Sequence, residues 1–211
     1  MEYLDVNAFR KMLNKVCDNV IANEDLLCRL DSVVGDGDHG VTAARGFSAM
    51  KNCIAGGDSI SITQLLHLCG EVLSDTMGGA IGPIIGGMFI GMAEAAETFE
   101  TINSSEITEM LAAGLENVML IGGAKPGDRT LVDALAPAVD AAKEQVKKGS
   151  TLPQTMAAAE VAAQHGTEST RDMMAKRGRA RFLQEKSLGY QDAGATSMLL
   201  VLQAMSDYCL E

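Results

Sequence analysis

Three aspartates lie close together in one glycine-rich stretch and offer the chemistry of a metal site. Asp31, Asp36 and Asp38 bring three carboxylates within eight residues, in the segment DSVVGDGDHG of residues 31–40. The glycines let the backbone turn tightly enough to aim these side chains at one point. Three carboxylates in a small space need a bound proton or a cation to offset their repulsion. Oxygen ligands on a flexible loop suit Mg²⁺ or Ca²⁺, and Mg²⁺ commonly takes phosphate oxygens as well, so the segment indicates a magnesium–phosphate site.

Two other interpretations of this segment are excluded, and one stays open. An EF-hand loop that began at Asp36 would need a bidentate glutamate where the chain has Phe47. The chain contains no GxxxxGK[ST] sequence, which excludes a Walker A phosphate loop. A solvated turn rich in aspartate and glycine remains open on the residues of this segment alone.

The elements that must position these aspartates are predicted to be helices. The chain has 211 residues, which suits a single domain over residues 1–211. Apolar residues make up 47% of the chain but aromatic residues only 4%, and there is no tryptophan. Alanine, leucine and methionine are good helix formers, whereas valine, isoleucine and tyrosine never gather into alternating runs. The composition therefore predicts an all-α protein.

The 3.6-residue periodicity of the apolar residues predicts about eight helical stretches. Ser61 and Gln64 have the spacing of a capping box, and Thr151 precedes Pro153 and Gln154 as in a typical first turn. The predicted helices cover approximately residues 6–21, 41–55, 62–75, 81–99, 105–120, 130–148, 153–174 and 195–209.

Three of the predicted connections are rich in glycine and in polar or charged residues. They are Gly35–Gly40, Gly122–Thr130 and Lys176–Gly194, and a fourth glycine pair, Gly78–Gly79, opens an apolar helix. In an up-and-down array of helices, alternate connections fall at the same end, so these loops are expected to converge. The helices that start there would offer unpaired N–H groups to an anion, such as a nucleotide phosphate above the magnesium cluster. Ordinary helix caps, which also use glycine, are the alternative interpretation of the loops.

The charge of the chain excludes two classes of partner. The formal net charge is −11, which argues against direct binding to nucleic acid and to anionic membranes. The apolar segment Gly79–Ala96 is interrupted by Pro83 and ends at acidic residues. We therefore predict a buried core helix here and no membrane span.

The cysteines predict a reducing environment. They are odd in number, widely spaced and form no CxxC pair, at Cys17, Cys28, Cys53, Cys69 and Cys209. Free buried thiols are the expectation for such a pattern, and the N-terminal residues contain no apolar signal run. We therefore expect a cytoplasmic protein.

Five motifs occur in order along the chain. They are GDGDHG at 35–40 followed by RGF at 45–47, GGAIGP at 78–83, KPGDRT at 125–130 with Asp133, RGRA at 177–180, and GYQDAGATS at 189–197. In this order and near-equal spacing the chain resembles the nucleotide-binding L subunit of bacterial dihydroxyacetone kinase. The resemblance runs from about residue 5 to the C-terminus, and five ordered motifs are a far more specific signal than any one of them.

The resemblance implies a barrel of eight antiparallel helices with ADP or ATP at one mouth. Two Mg²⁺ ions would bridge the nucleotide to Asp31, Asp36 and Asp38. Arg179 is implied to close over the phosphates and to act on the transferred group as a catalytic residue. The residues implied to surround the nucleotide are His39, Gly40, Thr42, Gly79, Ala80, Ile81, Gly122, Leu131, Arg179, Asp192, Ala193 and Gly194.

The resemblance also implies partner proteins. Dihydroxyacetone would be held on a separate K subunit through a histidine of that subunit, and a phosphotransferase-system M subunit would rephosphorylate the bound ADP in place. His39 is similar to the free-standing subunit, whereas the fused ATP-using kinases have cysteine at this position. The chain also matches only the L domain, which favours a multi-subunit kinase. A homodimer and a nucleotide-dependent interaction with a transcription regulator are further expectations.

Three residues next to the implied nucleotide differ from the usual pattern of the family. The chain has Thr42 where asparagine is usual, Ile81 where serine is usual and Ala193 where proline is usual. Thr42 can still donate a hydrogen bond, but the side chain of Ile81 cannot. These differences favour, as an alternative, an ATP-dependent kinase subunit for a related ketose such as erythrulose.

Overall fold

The computed structural model of the chain describes residues 2–56 and 60–211, and helices dominate both ranges. Within them the only β pairing is an isolated bridge between Leu4 and Ile102. Two short 3₁₀ helices, Thr170–Asp172 and Arg179–Ser187, precede the last α-helix. The nine α-helices of the described residues are α1 (Val6–Ala22), α2 (Glu24–Val34), α3 (His39–Ile54), α4 (Ile62–Thr76), α5 (Ile81–Ala95), α6 (Ser104–Gly122), α7 (Val132–Lys147), α8 (Leu152–Ser169) and α9 (Ala193–Leu210).

Eight of the helices form a closed ring. From α3 to α9 each helix packs against the next one along the chain, and α1 packs against both α3 and α9. The ring encloses one continuous apolar core to which all eight of these helices contribute. α2 lies outside the ring, where it contacts α3 and α9. The predicted all-α class and the barrel of about eight helices are thus confirmed.

Alternate helices of the ring begin at the same end. The first residues of α3, α5, α7 and α9 line one common cleft. The first residues of α6 and α8 line a separate pocket together with Val146, near the end of α7. The predicted convergence of the glycine-rich connections at one mouth of the barrel is therefore confirmed.

The predicted helix starts agree with the structure. The Ser61 side chain accepts from the backbone N–H of Gln64, and the Gln64 side chain accepts from the N–H of Ser61, which completes the capping box of α4. α8 begins at Leu152 with Pro153 in its first turn. Within the described ranges, no helix combines the length and the apolar character needed to cross a membrane, and α5 is a core helix, as predicted.

The sequence-based assignment missed α2. A single residue, Asn23, separates this helix from α1 and caps both helix ends. Asp31, predicted in a loop, lies in the last turn of α2. The glycines that follow α2 suggested a loop, but the residues before them form an amphipathic helix with Leu27 buried.

Two predicted segments have different ends in the structure. The helix predicted for 153–174 ends at Ser169 and continues only as a 3₁₀ turn. The connection predicted for 176–194 contains the 3₁₀ helix Arg179–Ser187. We call residues 176–194 the lid.

Glycines set the distance between α4 and α5. A Cβ added at Gly86 would lie 2.0 Å from Ser74 Oγ and 2.4 Å from the carbonyl oxygen of Gly70. The two backbones therefore touch, and a methyl group fits between them only if the helices separate. A Cβ added at the neighbouring Gly87 would instead meet the end of the exposed Ile121 side chain, which can move away.

This contact predicts a difference between two alanine substitutions. Gly86→Ala should lower the free energy of unfolding by about 2 kcal/mol because it overpacks a backbone contact. Gly87→Ala is the matched control, since both variants gain the same helix propensity. It should cost less than about 1 kcal/mol because the Ile121 side chain can move away. Urea unfolding followed by circular dichroism measures both values, and equal losses would contradict the proposed contact.

Candidate metal centre and cleft

The mouth of the barrel holds a cleft of about 600 Å³. Its walls include the beginnings of α3, α5, α7 and α9, the end of α6, and residues of the lid. The first N–H groups of a helix have no partner within the helix and carry a partial positive charge. Four helix N-termini around one cleft therefore suit an anionic ligand such as a phosphate.

The three predicted metal-ligating aspartates meet at the edge of this cleft. Asp31, Asp36 and Asp38 each offer a carboxylate oxygen, and these oxygens all lie within 4.8 Å of one another. Asp31 is half-buried at the end of α2, whereas the other two are exposed on the loop before α3. A set of carboxylate oxygens beside a cleft that suits a phosphate fits Mg²⁺ or Ca²⁺. Cation binding itself stays a prediction.

The loop that carries the cluster is folded around the carboxylate of Asp31. Its Oδ2 accepts from the backbone N–H of Gly37 at 2.8 Å and of His39 at 3.4 Å. A Cβ at Gly35 would lie 2.2 Å from Asp31 Oδ1, so only glycine leaves that oxygen room. Gly37 adopts a φ of +78°, which other residues rarely take. Gly35 and Gly37 are thus required for different physical reasons, the first for space and the second for backbone conformation. Both help to place the Asp31 carboxylate.

His39 links the aspartate cluster to α9. Its Nε2 lies 3.1 Å from Ser197 Oγ, and the Ser197 hydroxyl donates its proton to the carbonyl of Gly194. Burial lowers the pKa of His39, although the charges of Asp31 and Asp38 oppose this shift. Burial therefore favours the neutral imidazole, whose Nε2 faces the Ser197 hydroxyl.

The cleft brings together nearly all residues that the sequence implied for nucleotide binding. The exception is Gly40: a Cβ there would lie 2.1 Å from the carbonyl oxygen of Glu24 and 2.6 Å from Cys28 Sγ. Gly40 thus allows α3 to lie against α2, and it faces this helix contact and not the cleft. The implied residues that line the cleft are His39, Thr42, Gly79, Ala80, Ile81, Gly122, Leu131, Arg179, Asp192, Ala193 and Gly194. Their contacts with a nucleotide stay predictions.

Arg179 reaches the aspartate cluster from the lid. Its Nη2 lies 2.9 Å from Asp36 Oδ2, although the arginine side chain remains 69% exposed. An ion pair so open to solvent contributes little to stability. The contact nevertheless shows that the guanidinium can reach the edge of the cleft where the carboxylates converge.

Comparison with known proteins agrees with this geometry. Residues 33–207 match the DAK2 domain family. The chain belongs to the DAK2 domain family. The ADP-binding subunit DhaL of the PEP-dependent dihydroxyacetone kinase of Escherichia coli (strain K12) is 33% identical over 191 residues, which cover 90% of this chain and 91% of that protein. The resemblance to the L subunit is thereby confirmed.

Two larger proteins also resemble this DAK2 domain chain. The L-erythrulose kinase of Pectobacterium atrosepticum is 36% identical over 201 residues, which cover 92% of this chain and 33% of that protein. A crystal structure of the dihydroxyacetone kinase from C. freundii in complex with AMP-PNP and Mg²⁺ superposes with a TM-score of 0.77 at 27% identity. That match covers 98% of this chain and 35% of the crystallised one, so the chain spans about a third of that protein's length.

Arg129 was not among the predicted site residues, but the structure places it in the cleft. Arg129 lines the cleft, is only 1% exposed and has a φ of +60°. Its Nη2 donates to the carbonyl of Tyr190 at 2.8 Å, whereas Nε and Nη1 have no hydrogen-bond partner in the described part of the chain. Burial lowers the pKa of Arg129, and the charge of Asp192 opposes this shift. A loop arginine is ordinarily exposed, so no local pattern could have revealed its burial.

Two buried carboxylates of this DAK2 domain protein shape the loop around Arg129. Asp133 accepts from the N–H groups of Gly127 and Thr130, at 2.5 Å and 2.7 Å. Asp128 is only 2% exposed and contacts the lid. We call residues 123–131 the α6–α7 loop. Both aspartates belong to a recognised motif, but the sequence did not indicate their burial.

Asp192 caps α9 at the cleft. Its Oδ2 accepts from the N–H of Ala195 at 2.8 Å, and its own N–H donates to Thr170 Oγ1. Burial raises the pKa of Asp192 from its ordinary 3.8 to about 6, although the Ala195 N–H and the charge of Arg129 oppose this. The folded protein therefore binds this proton more tightly than the unfolded chain does.

This raised pKa predicts a pH-dependent effect of Asp192→Asn, which keeps a good helix cap but cannot ionise. The stability from the extra affinity for the proton is present below pH 4 and is lost as the pH rises through about 6. Relative to the variant, the wild type should lose at most about 3 kcal/mol of unfolding free energy between pH 4 and pH 7. Urea unfolding at a series of pH values measures this difference, with the exposed Asp140→Asn as the control substitution. A difference that does not change with pH would refute the assignment.

Proposed function

We propose that this chain is the nucleotide-binding, phosphoryl-donating subunit of a dihydroxyacetone-type kinase and works as a single domain over residues 1–211. The observation that carries this proposal is the meeting of Asp31, Asp36 and Asp38 at the edge of a cleft surrounded by four helix N-termini. Family membership supports kinase chemistry, since the relatives that share this domain are kinases or kinase subunits.

The chain's own residues account for binding of a nucleotide with its cation. Asp31, Asp36 and Asp38 would hold Mg²⁺, two ions per chain, which when bound neutralises phosphate charge. The beginnings of α3 and α5 offer N–H groups to the phosphates of ADP or ATP, with the Thr42 hydroxyl beside them. The nucleoside would extend toward Leu131 at the beginning of α7.

Arg179 is the residue we assign to catalysis. Phosphoryl transfer depends on positioning and on neutralising the charge of the transferred group, and it requires little covalent chemistry from the protein. A guanidinium that reaches the aspartate cluster from the lid can supply charge-assisted hydrogen bonds to that group.

The surface around the cleft supports docking of a partner that presents the acceptor. Large apolar side chains are exposed on the elements that border the cleft, and Leu120 and Phe182 are 80% and 75% exposed. Exposed apolar groups gathered around a polar cleft are typical of a protein interface. The exposed apolar residues on these bordering elements are Val33, Val41, Leu120, Ile121, Phe182, Leu188 and Tyr190. We assign this surface to a ketose-carrying K subunit and, in turn, to a phosphotransferase-system M subunit that restores the nucleotide.

A second candidate function is an ATP-dependent kinase subunit for a related ketose such as erythrulose. The similarity to the L-erythrulose kinase of Pectobacterium atrosepticum favours it, as do Ile81 and Ala193 at the cleft. Denaturing the purified chain and identifying the released nucleotide separates the donors. About one ADP per chain supports rephosphorylation in place, whereas no retained nucleotide supports exchange with ATP. Assays with both ketoses then identify the acceptor.

Mg-ADP should stabilise the folded chain because it binds only the folded state. At a thousandfold excess over Kd the gain is about 4 kcal/mol, and EDTA should remove it. Asp36→Asn should abolish tight binding since it removes one ligand charge, whereas Asp207→Asn, an exposed position on α9, should bind as the wild type does. Thermal melts and calorimetry test this. Undiminished affinity in Asp36→Asn would refute the metal assignment.

Arg179→Ala should slow phosphoryl transfer about 100-fold or more, with a smaller effect on ADP affinity, because the guanidinium acts mainly on the transition state. Lys186→Ala removes a charge from the same lid outside the cleft and should change turnover less than 2-fold. The assay is ketose phosphorylation with a cognate K subunit and donor. Wild-type turnover by Arg179→Ala would exclude its catalytic role.

A further inference from the structure

The beginning of the lid is attached to the α6–α7 loop through Asp128. The carboxylate of this residue is almost fully buried, and its Oδ2 accepts from the backbone N–H of Lys125 at 3.1 Å. Its Oδ1 lies 3.3 Å from Lys176 Nζ, and its Oδ2 lies 3.6 Å from Arg177 Nε. One buried anion therefore contacts the first two cations of the lid.

Backbone groups reinforce this attachment. The carbonyl of Asp128 accepts from the N–H of Lys176 at 3.2 Å, and Lys176 Nζ donates to the carbonyl of Gly127 at 2.9 Å. The Arg177 guanidinium donates to the carbonyl of Gly123. Lys176 and Arg177 are themselves about half exposed, so the buried carboxylate is the element that fixes their side chains. Without it, two long cationic side chains would move freely beside the cleft.

Gly178 connects this attachment to Arg179. It adopts φ +61° and ψ −163°, and an added Cβ would have open space around it. The backbone conformation, and not crowding, therefore calls for glycine here. Because Arg177 is held on one side of this turn, the backbone that carries Arg179 starts from a defined position, and the Arg179 guanidinium lies 2.9 Å from Asp36.

The lid carries four cationic side chains in the six residues from Lys176 to Arg181. Each could in principle pair with the aspartate cluster or with a bound phosphate. Asp128 occupies the first two, and the third, Arg179, reaches Asp36. Because Lys176 and Arg177 are paired with Asp128, the position of this buried carboxylate helps to select Arg179 as the cation at the cluster.

We propose that Asp128 is a positioning residue that ties Lys176 and Arg177 to the α6–α7 loop and thereby presents Arg179 to the transferred phosphoryl group. This proposal rests on the proposed function, because it assumes that Arg179 acts in phosphoryl transfer. If Asp128 had a purely structural role, its substitution would weaken folding but would leave the contribution of Arg179 to turnover unchanged.

A double-mutant cycle separates the two roles. Asp128→Asn keeps the size of the side chain and the acceptor for the Lys125 N–H, but it removes the charge. With Mg-ADP, donor and a cognate K subunit, Asp128→Asn should lower turnover about 10-fold while ADP affinity changes less than 2-fold. In the Arg179→Ala background the same substitution should cost less than 2-fold. An equal 10-fold loss in both backgrounds, or wild-type turnover by Asp128→Asn, would overturn the proposal.

Lys176→Met provides a second variant that leaves the buried carboxylate in place. Its side chain belongs to the attachment and does not line the cleft. We expect a loss of turnover of about 3-fold that again disappears in the Arg179→Ala background. Glu185→Gln, which removes an exposed carboxylate from the same lid, should have no effect. A loss in Lys176→Met that persists without Arg179 would contradict the proposed coupling.

Hydrogen–deuterium exchange tests the attachment without any catalytic assay. In the Mg-ADP-loaded protein, Asp128→Asn should speed exchange of the amides of residues 176–189 several-fold and leave those of α4 and α5 unchanged. Unchanged exchange in the lid would overturn the attachment, whatever the enzyme does. A wild-type protein that transfers no phosphoryl group would instead refute the proposed function, while the exchange result would still report on Asp128.

Discussion

The repulsion among three carboxylates at one point is the constraint on which the rest of the site depends. Unit charges 4.8 Å apart repel by about 1 kcal/mol in water and by about 3 kcal/mol at the effective dielectric of a protein surface. The structure offsets this cost locally. Backbone N–H groups bind Asp31, an arginine pairs with Asp36, and the N-terminus of α3 begins directly after Asp38. A fold that concentrates negative charge in this way is suited to concentrate a cation as well.

The ring of helices allows negative charge to be concentrated at the mouth of the barrel, away from the apolar core. Each side of the mouth receives the start of a ring helix, while the aspartates come from α2 and the loop that follows it, outside the ring. Close glycine contacts such as that between Gly70 and Gly86 keep neighbouring helices together without large side chains. The aspartates thus lie on an element outside the ring, which packs against α3 and α9 and brings the carboxylates to the edge of the cleft.

The sequence predicted the features that depend on local chemistry and missed those that depend on burial. The aspartate cluster, the capping box at Ser61 and the converging loops follow from residue types and their spacing. α2 was missed because only Asn23 separates it from α1 and because the glycines after it suggested a loop. Arg129 and Asp128 could not be recognised as buried, since a charged residue in a turn is ordinarily exposed and only tertiary packing reverses this. The motif likewise does not indicate that Gly40 lies at the contact between α2 and α3.

The alternating directions of the ring helices have a consequence for how a ligand arrives. Because helix starts and helix ends share the mouth, their dipoles cancel beyond a short distance, and the attraction of the N–H groups acts only at contact. Farther away, a ligand that is itself an anion meets the field of a chain with a net charge of −11. The net charge therefore opposes long-range steering, and the arginines at the cleft attract the ligand only within a Debye length of about 8 Å, so we expect a low association rate. At any given affinity a lower association rate goes with a proportionally lower dissociation rate, so we expect such a mouth to favour keeping a nucleotide over exchanging it.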